Sequence, residues 1–316
     1  MKKAIVLLLF VLSFLHAQEL IPYNQFKVSA AVTDLKYKNN KLYVATAMGK
    51  INIFDTNSFT LLNNIKIPKV KDFMGDVLPS KIYSLDIRQD KVIFASQGEK
   101  GSRRLYLYDK KLINVINDRD NFYISKVRFV DENTVVFALL SSVVYLYDIK
   151  LKKILWQVQV SQSKFSDFEI NENKSRLIVA DESGDLKELD VKTGKIVHYY
   201  KGQNLDNVYQ VAFENGVIAT AGQDRKTVVY LHNKSESYFK SASFIVYSVG
   251  LSPLASKAAF THDEDNNILI FDIQTKEDLH VLKAHKSIPT DIEFKNEKAL
   301  FTSDSNDIVY YWKLEE

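Results

Sequence analysis

One short pattern recurs along the whole chain and limits what it can fold into. Alternating apolar residues end on an aromatic residue or leucine, and an aspartate follows. The copies are residues 51–55 (INIFD), 105–109 (LYLYD), 144–148 (VYLYD), 186–190 (LKELD), 228–232 (VVYLH), 268–272 (ILIFD) and 309–313 (VYYWK). The fifth has His232 in place of the aspartate, and the seventh has Lys313. Their last residues lie 54, 39, 42, 42, 40 and 41 apart. A period of about forty residues marks a chain assembled from one repeated supersecondary unit.

Each copy is the third of four strand-like segments. A second precedes it, as in 41–46 (KLYVAT), 91–96 (KVIFAS), 176–181 (RLIVAD) and 298–303 (KALFTS). Another comes earlier still: 32–37 (VTDLKY), 82–87 (IYSLDI), 124–129 (ISKVRF), 165–170 (FSDFEI), 208–213 (VYQVAF), 246–251 (VYSVGL) and 288–294 (IPTDIEF). A more variable fourth follows the aspartate, as in 153–160 (KILWQVQV) and 195–200 (KIVHYY). Four strands of period two, repeated every forty-odd residues, make one blade of a propeller. A lone sheet of this kind cannot cover both its faces. Neighbouring blades do so, and closing the ring removes the exposed edge. The expected fold is all-β, a single seven-bladed β-propeller over residues 18–316. The seventh copy has no fourth strand after it. Residues 20–28 (LIPYNQFKV) are strand-like and are expected to complete that blade, tying the two ends of the chain together.

Composition agrees. Apolar residues are 46% and charged residues 26%, enough for a sizeable core. Aromatics reach 12%, which favours strands, and only 5 Pro and 10 Gly argue against low-complexity segments. The chain contains no cysteine, which excludes disulfides, thiolate metal sites and iron–sulfur clusters. Net charge is +3, and two of those charges are Lys2 and Lys3 in the leader. A balance so near neutral gives no reason to expect nucleic acid as a partner.

That leader reads as an address. Lys2 and Lys3 precede an apolar run over residues 4–15, and Ala17 offers a small residue for cleavage. This is the pattern of a secretory signal peptide over residues 1–17. The run is shorter than the roughly 20 residues of a membrane span. The expected location is the periplasm, with no membrane insertion after cleavage and a monomeric state.

The repeat is irregular at one place. Leu35 and Leu85, equivalent positions of the first two copies, lie 50 apart, whereas later neighbours lie closer. Extra residues enter around 69–80 (KVKDFMGDVLPS), a connection between blades. More enter around 97–104 (QGEKGSRR), between the second and third strands of a blade. Both connection types emerge on the same face. Loops on a rigid scaffold carry function, and Arg and aromatic residues are enriched where partners bind. The candidate partner-binding residues are Lys71, Phe73, Met74, Lys100, Arg103 and Arg104.

Catalytic signatures are sparse. The histidines beyond the leader (His198, His232, His262, His280 and His285) form no metal-ligand spacing. His262 lies beside Asp263, Glu264 and Asp265, a pattern that reads as a solvated turn. No nucleophile elbow or phosphate-cradling loop appears, and no cofactor is expected.

The aromatic–aspartate ending resembles the dipeptide of WD repeats. The seventh copy matches best, with Ala284-His285 similar to that family's Gly-His pair and Trp312 in place of its tryptophan. Thr302 and Asn306 lie ten and six residues before Trp312. The resemblance implies a buried, structural hydrogen-bonded tetrad of His285, Thr302, Asn306 and Trp312, with Asn306 standing in for an aspartate. The sixth copy has Thr261, Asp265 and Phe271 at the corresponding spacing, but Phe271 cannot donate. An exported, cysteine-free, divergent WD-type propeller also resembles the NapL accessory proteins encoded with some bacterial periplasmic nitrate reductases. That resemblance implies a role in assembly of, or electron supply to, a molybdenum enzyme, with nitrate reductase subunits as partners and no catalysis by this chain. The expected function is thus a non-catalytic periplasmic interaction scaffold. Two alternatives are a propeller enzyme, such as a metal-dependent lactonase-like hydrolase, and an outer-membrane assembly propeller. The second is weakened because it would carry a lipoprotein cysteine.

Overall fold

The computed structural model describes residues 17–232 and 236–315. The leader expected over residues 1–17 lies outside them except for Ala17. The chain forms seven sheets arranged in a ring, a seven-bladed β-propeller. The innermost strands are Val32–Lys38, Ile82–Arg88, Ile124–Phe129, Phe165–Ile170, Val208–Glu214, Val249–Leu251 and Pro289–Asn296, in blades 1 to 7. Each packs beside the next, and the seventh packs against the first.

The hydrophobic core is divided by the ring. Seven buried clusters occur, one between each pair of neighbouring blades. Between blades 3 and 4, for example, Val136 and Val144 meet Phe168, Leu177 and Val191. Burying each such side chain contributes roughly 1.5–3 kcal/mol, so the seams hold the ring together. The alternation of the repeat sends one set of apolar residues to each neighbour.

Blade 7 takes its outer strand from the N-terminal segment. Asn24–Lys27 pairs antiparallel with Ile308–Lys313, matching Phe26 to Val309. Phe26 is buried against Phe54 of blade 1 and Phe301 of blade 7, at ring-centroid distances of 5.1 and 6.0 Å. The segment 20–28 is not one strand, however. Gln18–Leu20 pairs parallel with Asp278–Leu282 and gives blade 6 a fifth strand. The chain end therefore clasps two blades rather than one.

The pattern's aspartate has a local task. Asp55, Asp148, Asp190 and Asp272 each close the third strand and accept backbone N–H groups two or three residues on. This caps the turn into the outer strand. The strand register also corrects the fifth copy. Leu231, opposite Val217, holds the position that Asp190 holds opposite Arg176, so His232 lies one residue beyond the pattern.

Candidate functional site

Within each antiparallel blade the second-to-third turn lies at the same end as the connection to the next blade. Both insertions therefore emerge on one face. Val70–Lys71 and Val77–Leu78 form a short hairpin rooted by buried Val70. At its tip the Asp72 carboxylate accepts the N–H groups of Met74 and Asp76, at 2.8 and 2.9 Å. Gly75, at φ 93°, makes the tight reversal. The tip lifts Phe73 and Met74 out of the ring, 77% and 87% exposed.

The second insertion lies beneath the first. A β-carbon placed on Gly101 would sit 3.3 Å from Cε2 of Phe73, so the ring rests on that loop. Lys71 and Lys100 are exposed nearby in the chain. Met48, Val77 and Leu78 add exposed apolar groups on connections of the same face.

Two of the expected partner-binding residues are instead engaged within the chain. Arg104 donates Nε to both oxygens of Asp118 at 2.9 Å and Nη2 to Oδ2 at 2.5 Å, leaving its side chain 11% exposed. Asp118 also accepts from the Ser102 hydroxyl at 2.6 Å and from the Glu99 N–H at 3.1 Å. It thus knots the insertion onto the connection to blade 3. Arg103 stacks 3.9 Å from the Tyr83 ring centroid and donates to the Ile124 carbonyl at 2.8 Å. Arg103 and Arg104 build the platform, while Phe73, Met74, Lys71 and Lys100 face outward.

The polar network of blade 7 has a different acid from the expected one. His285 Nε2 lies 2.8 Å from Thr302 Oγ1, and Trp312 Nε1 donates to the same oxygen at 2.7 Å. The carboxylate that faces His285 Nδ1, at 3.4 Å, belongs to Asp304. Asn306 is exposed and contributes its backbone, donating N–H to Asp304 Oδ1 and giving its carbonyl to Val32 N–H. Asp304 ends the second strand and so points back beneath the loop that carries His285. Burial alone would raise its pKa, but His285 and the backbone N–H groups of Asn306 and Lys286 hold it low. Blade 5 repeats the arrangement with neutral groups. Thr220 donates to Asn204 Oδ1 at 2.8 Å, and Asn204 donates to the Tyr230 hydroxyl at 3.0 Å. The ten-residue spacing from Thr220 to Tyr230 matches that from Thr302 to Trp312. Residue identity hid it. In blade 6, Thr261 Oγ1 accepts the Tyr247 N–H at 2.6 Å.

The central channel carries charge that sequence reading passed over. On five of the seven inner strands one recurring polar residue accepts a backbone N–H of the next blade. Asp291 accepts from Leu35 N, Asp34 from Leu85 N, Ser84 from Val127 N, Asp167 from Val211 N and Gln210 from Val249 N. Between blades 3 and 4 this position is Lys126, which donates to Asp167 at 2.6 Å. Two residues on, Arg128 donates to both oxygens of Glu169, and Lys36 pairs with Glu293 at 2.9 Å. Burial pushes Asp34 up to about 7, partly opposed by Arg128. Burial would raise Glu169 too, but Arg128, Lys126 and Lys36 hold it well below the usual carboxylate range. The channel widens into a cavity of about 490 Å³ at the face opposite the insertions. Glu214 lines it, pushed up to about 8 by burial and by Glu169 and Glu172. Among the described residues no group of three or more His, Asp or Glu converges as a metal site. The turn at Asp263 is internally bonded, with its carboxylate accepting from Asn267 N.

No protein-family model matches the chain, and no curated protein matches it.

Proposed function

We propose that this protein is an exported, non-catalytic interaction scaffold of the WD-repeat kind. It holds a periplasmic protein partner on the face that carries the two insertions. The observation behind the reading is the raised hairpin. Phe73 and Met74 stand exposed on a tip fastened by Asp72 and supported by the Asp118 knot. Exposed Phe73 and Met74 on a rigid base are of the residue types enriched in interface cores, and Lys71 and Lys100 would lie on the polar rim. The leader and the divergent repeats favour a component of a nitrate reductase system as the partner, in assembly or electron supply.

A second reading, a propeller hydrolase, draws on the opposite mouth, where Glu214 is pushed up and Glu169 held down. Two carboxylates driven apart in this way can divide acid and base roles.

The test is capture from periplasm with the immobilised mature chain. The wild type is expected to retain nitrate reductase subunits. The double variant Phe73→Asp, Met74→Asp is expected to lose them while melting within about 1 °C of the wild type, since surface changes usually cost under about 0.5 kcal/mol. Equal capture by the variant, or lactone hydrolysis by the purified protein, overturns the scaffold reading.

A further inference from the structure

The seam between blades 4 and 5 departs from its two neighbours at three equivalent positions. Two residues before the pattern's last position stand Ile53, Leu107, Leu146, Val229, Ile270 and Tyr311 in the other blades, whereas blade 4 has Glu188. Opposite that residue, on the outer strand, blade 3 has Trp156 and blade 5 has Tyr238. Blade 4 has His198. One residue beyond the pattern, blades 4 and 6 bury Val191 and Ile273, and blade 5 has His232.

These positions work together in the flanking seams. Trp156 spans from blade 3 to blade 4, covering Gly194 and donating Nε1 to the Val191 carbonyl at 3.0 Å. Tyr238 spans from blade 5 to blade 6 and donates to the Ile273 carbonyl at 2.7 Å. Between blades 4 and 5 the shorter His198 leaves a cavity of about 450 Å³. The cavity is lined with hydrogen-bonding groups already set in place. Glu188 has a side chain only 3% exposed. It accepts from the Tyr200 hydroxyl at 2.9 Å and lies 3.4 Å from Arg176 Nε. His232 Nδ1 is 2.9 Å from the same hydroxyl. Burial and the Glu188 charge raise the Tyr200 pKa, so the phenol stays a donor.

The lining charges cancel. Arg176 is paired with Asp190 and Glu188, and Lys201 with Asp185. Among the described lining residues, the two cations Arg176 and Lys201 are matched in number by the two anions Glu188 and Glu236. Arg176 and Gln203 offer donors and Glu188 an acceptor in a lining that also holds Tyr199, Tyr200 and Tyr230. A volume of this size suits one or two sugar rings.

We propose that the cavity between blades 4 and 5 binds a neutral, polyhydroxylated ligand, a mono- or disaccharide or the end of a glycan. Glu188 accepts from its hydroxyls, Arg176 and Gln203 donate to them, and the tyrosines flank the ring. The site is separate from the insertion face and does not depend on the partner held there.

Titration calorimetry tests the assignment. The probes are D-glucose and N-acetyl-D-glucosamine as free sugars, N,N′,N″-triacetylchitotriose as a neutral glycan end, and spermidine and sulfate as charged controls. Saturable binding of a neutral probe and none of the charged ones is expected. Tighter binding of the trisaccharide than of the monosaccharides identifies a glycan end, and the reverse identifies a free sugar. His198→Trp closes the cavity as Trp156 closes its own seam, so it is expected to fold and to weaken binding at least tenfold. Lys27→Ala, remote from the cavity, is expected to bind as wild type. No saturable binding by any neutral probe overturns the proposal. So does a preference for a charged probe, or unchanged affinity in a folded His198→Trp variant.

Discussion

At the scale of the residue, Asp304 and Asn306 separate two ways of building the same corner. Spacing from Trp312 points to Asn306, yet the buried carboxylate beside His285 is that of Asp304. Asp304→Ala would leave His285 Nδ1, Lys286 N and Asn306 N without their acceptor. It is expected to cost about 1–3 kcal/mol in urea unfolding, the usual penalty for orphaned buried donors. Asn306→Ala is expected to stay within about 0.5 kcal/mol of the wild type, because its side chain is exposed. Glu169 makes a second residue-scale case. Its folded-state pKa is depressed, so its ionised form stabilises the fold. That stability is present above its ordinary value of 4.5 and is lost as pH falls toward the depressed one. Glu169→Gln strips buried Arg128 of its charged partner and is expected to cost about 3–5 kcal/mol at pH 7. Its stability should also fall less than the wild type's between pH 5 and pH 3, measured as urea midpoints.

At the scale of the element, the N-terminal segment contains two unequal clasps. Gln18–Leu20 lies on the rim of blade 6 and is mostly exposed, whereas Asn24–Lys27 carries Phe26 into the core between blades 7 and 1. A chain that begins at residue 21 is expected to be less stable than one that begins at residue 18 by about 1 kcal/mol or less, the range of changes at exposed positions. Removing residues 18–28 takes away Phe26 and a strand's worth of backbone pairing, and a buried Phe alone is worth about 3–5 kcal/mol. Thermal melts of the two truncations should differ by well over 5 °C; similar melts would contradict the closure. The sequence announced a strand here through alternating LIPYNQFKV, but not its division. Pro22 interrupts the pairing, because a proline has no N–H to give a ladder.

For the whole molecule, the ring was legible because its cause is periodic. Leu35, Leu85, Val127 and their equivalents repeat in register, and a repeated apolar pattern leaves few arrangements that bury it. The candidate site was legible only as a break in that period, at the hairpin bearing Phe73 and Met74. What the pattern missed lies between repeats. Arg103 and Arg104 looked free because Tyr83 and Asp118 belong to other segments of the fold. Glu188 and His198 face each other on neighbouring strands of blade 4, and His232 joins them only across a seam. Charges around the channel were equally invisible, since Arg128 and Glu169 are 41 residues apart in sequence and touch only when the blades stand side by side. The clasp also sets an order of events in time. Phe26 pairs with Val309, among the most distant neighbours in the chain, and loop closure over such a span is slow. A strand close to the start of the chain is therefore among the last to find its place. Until then blade 7 presents a bare edge, a row of unpaired backbone groups on which a strand of another chain can add.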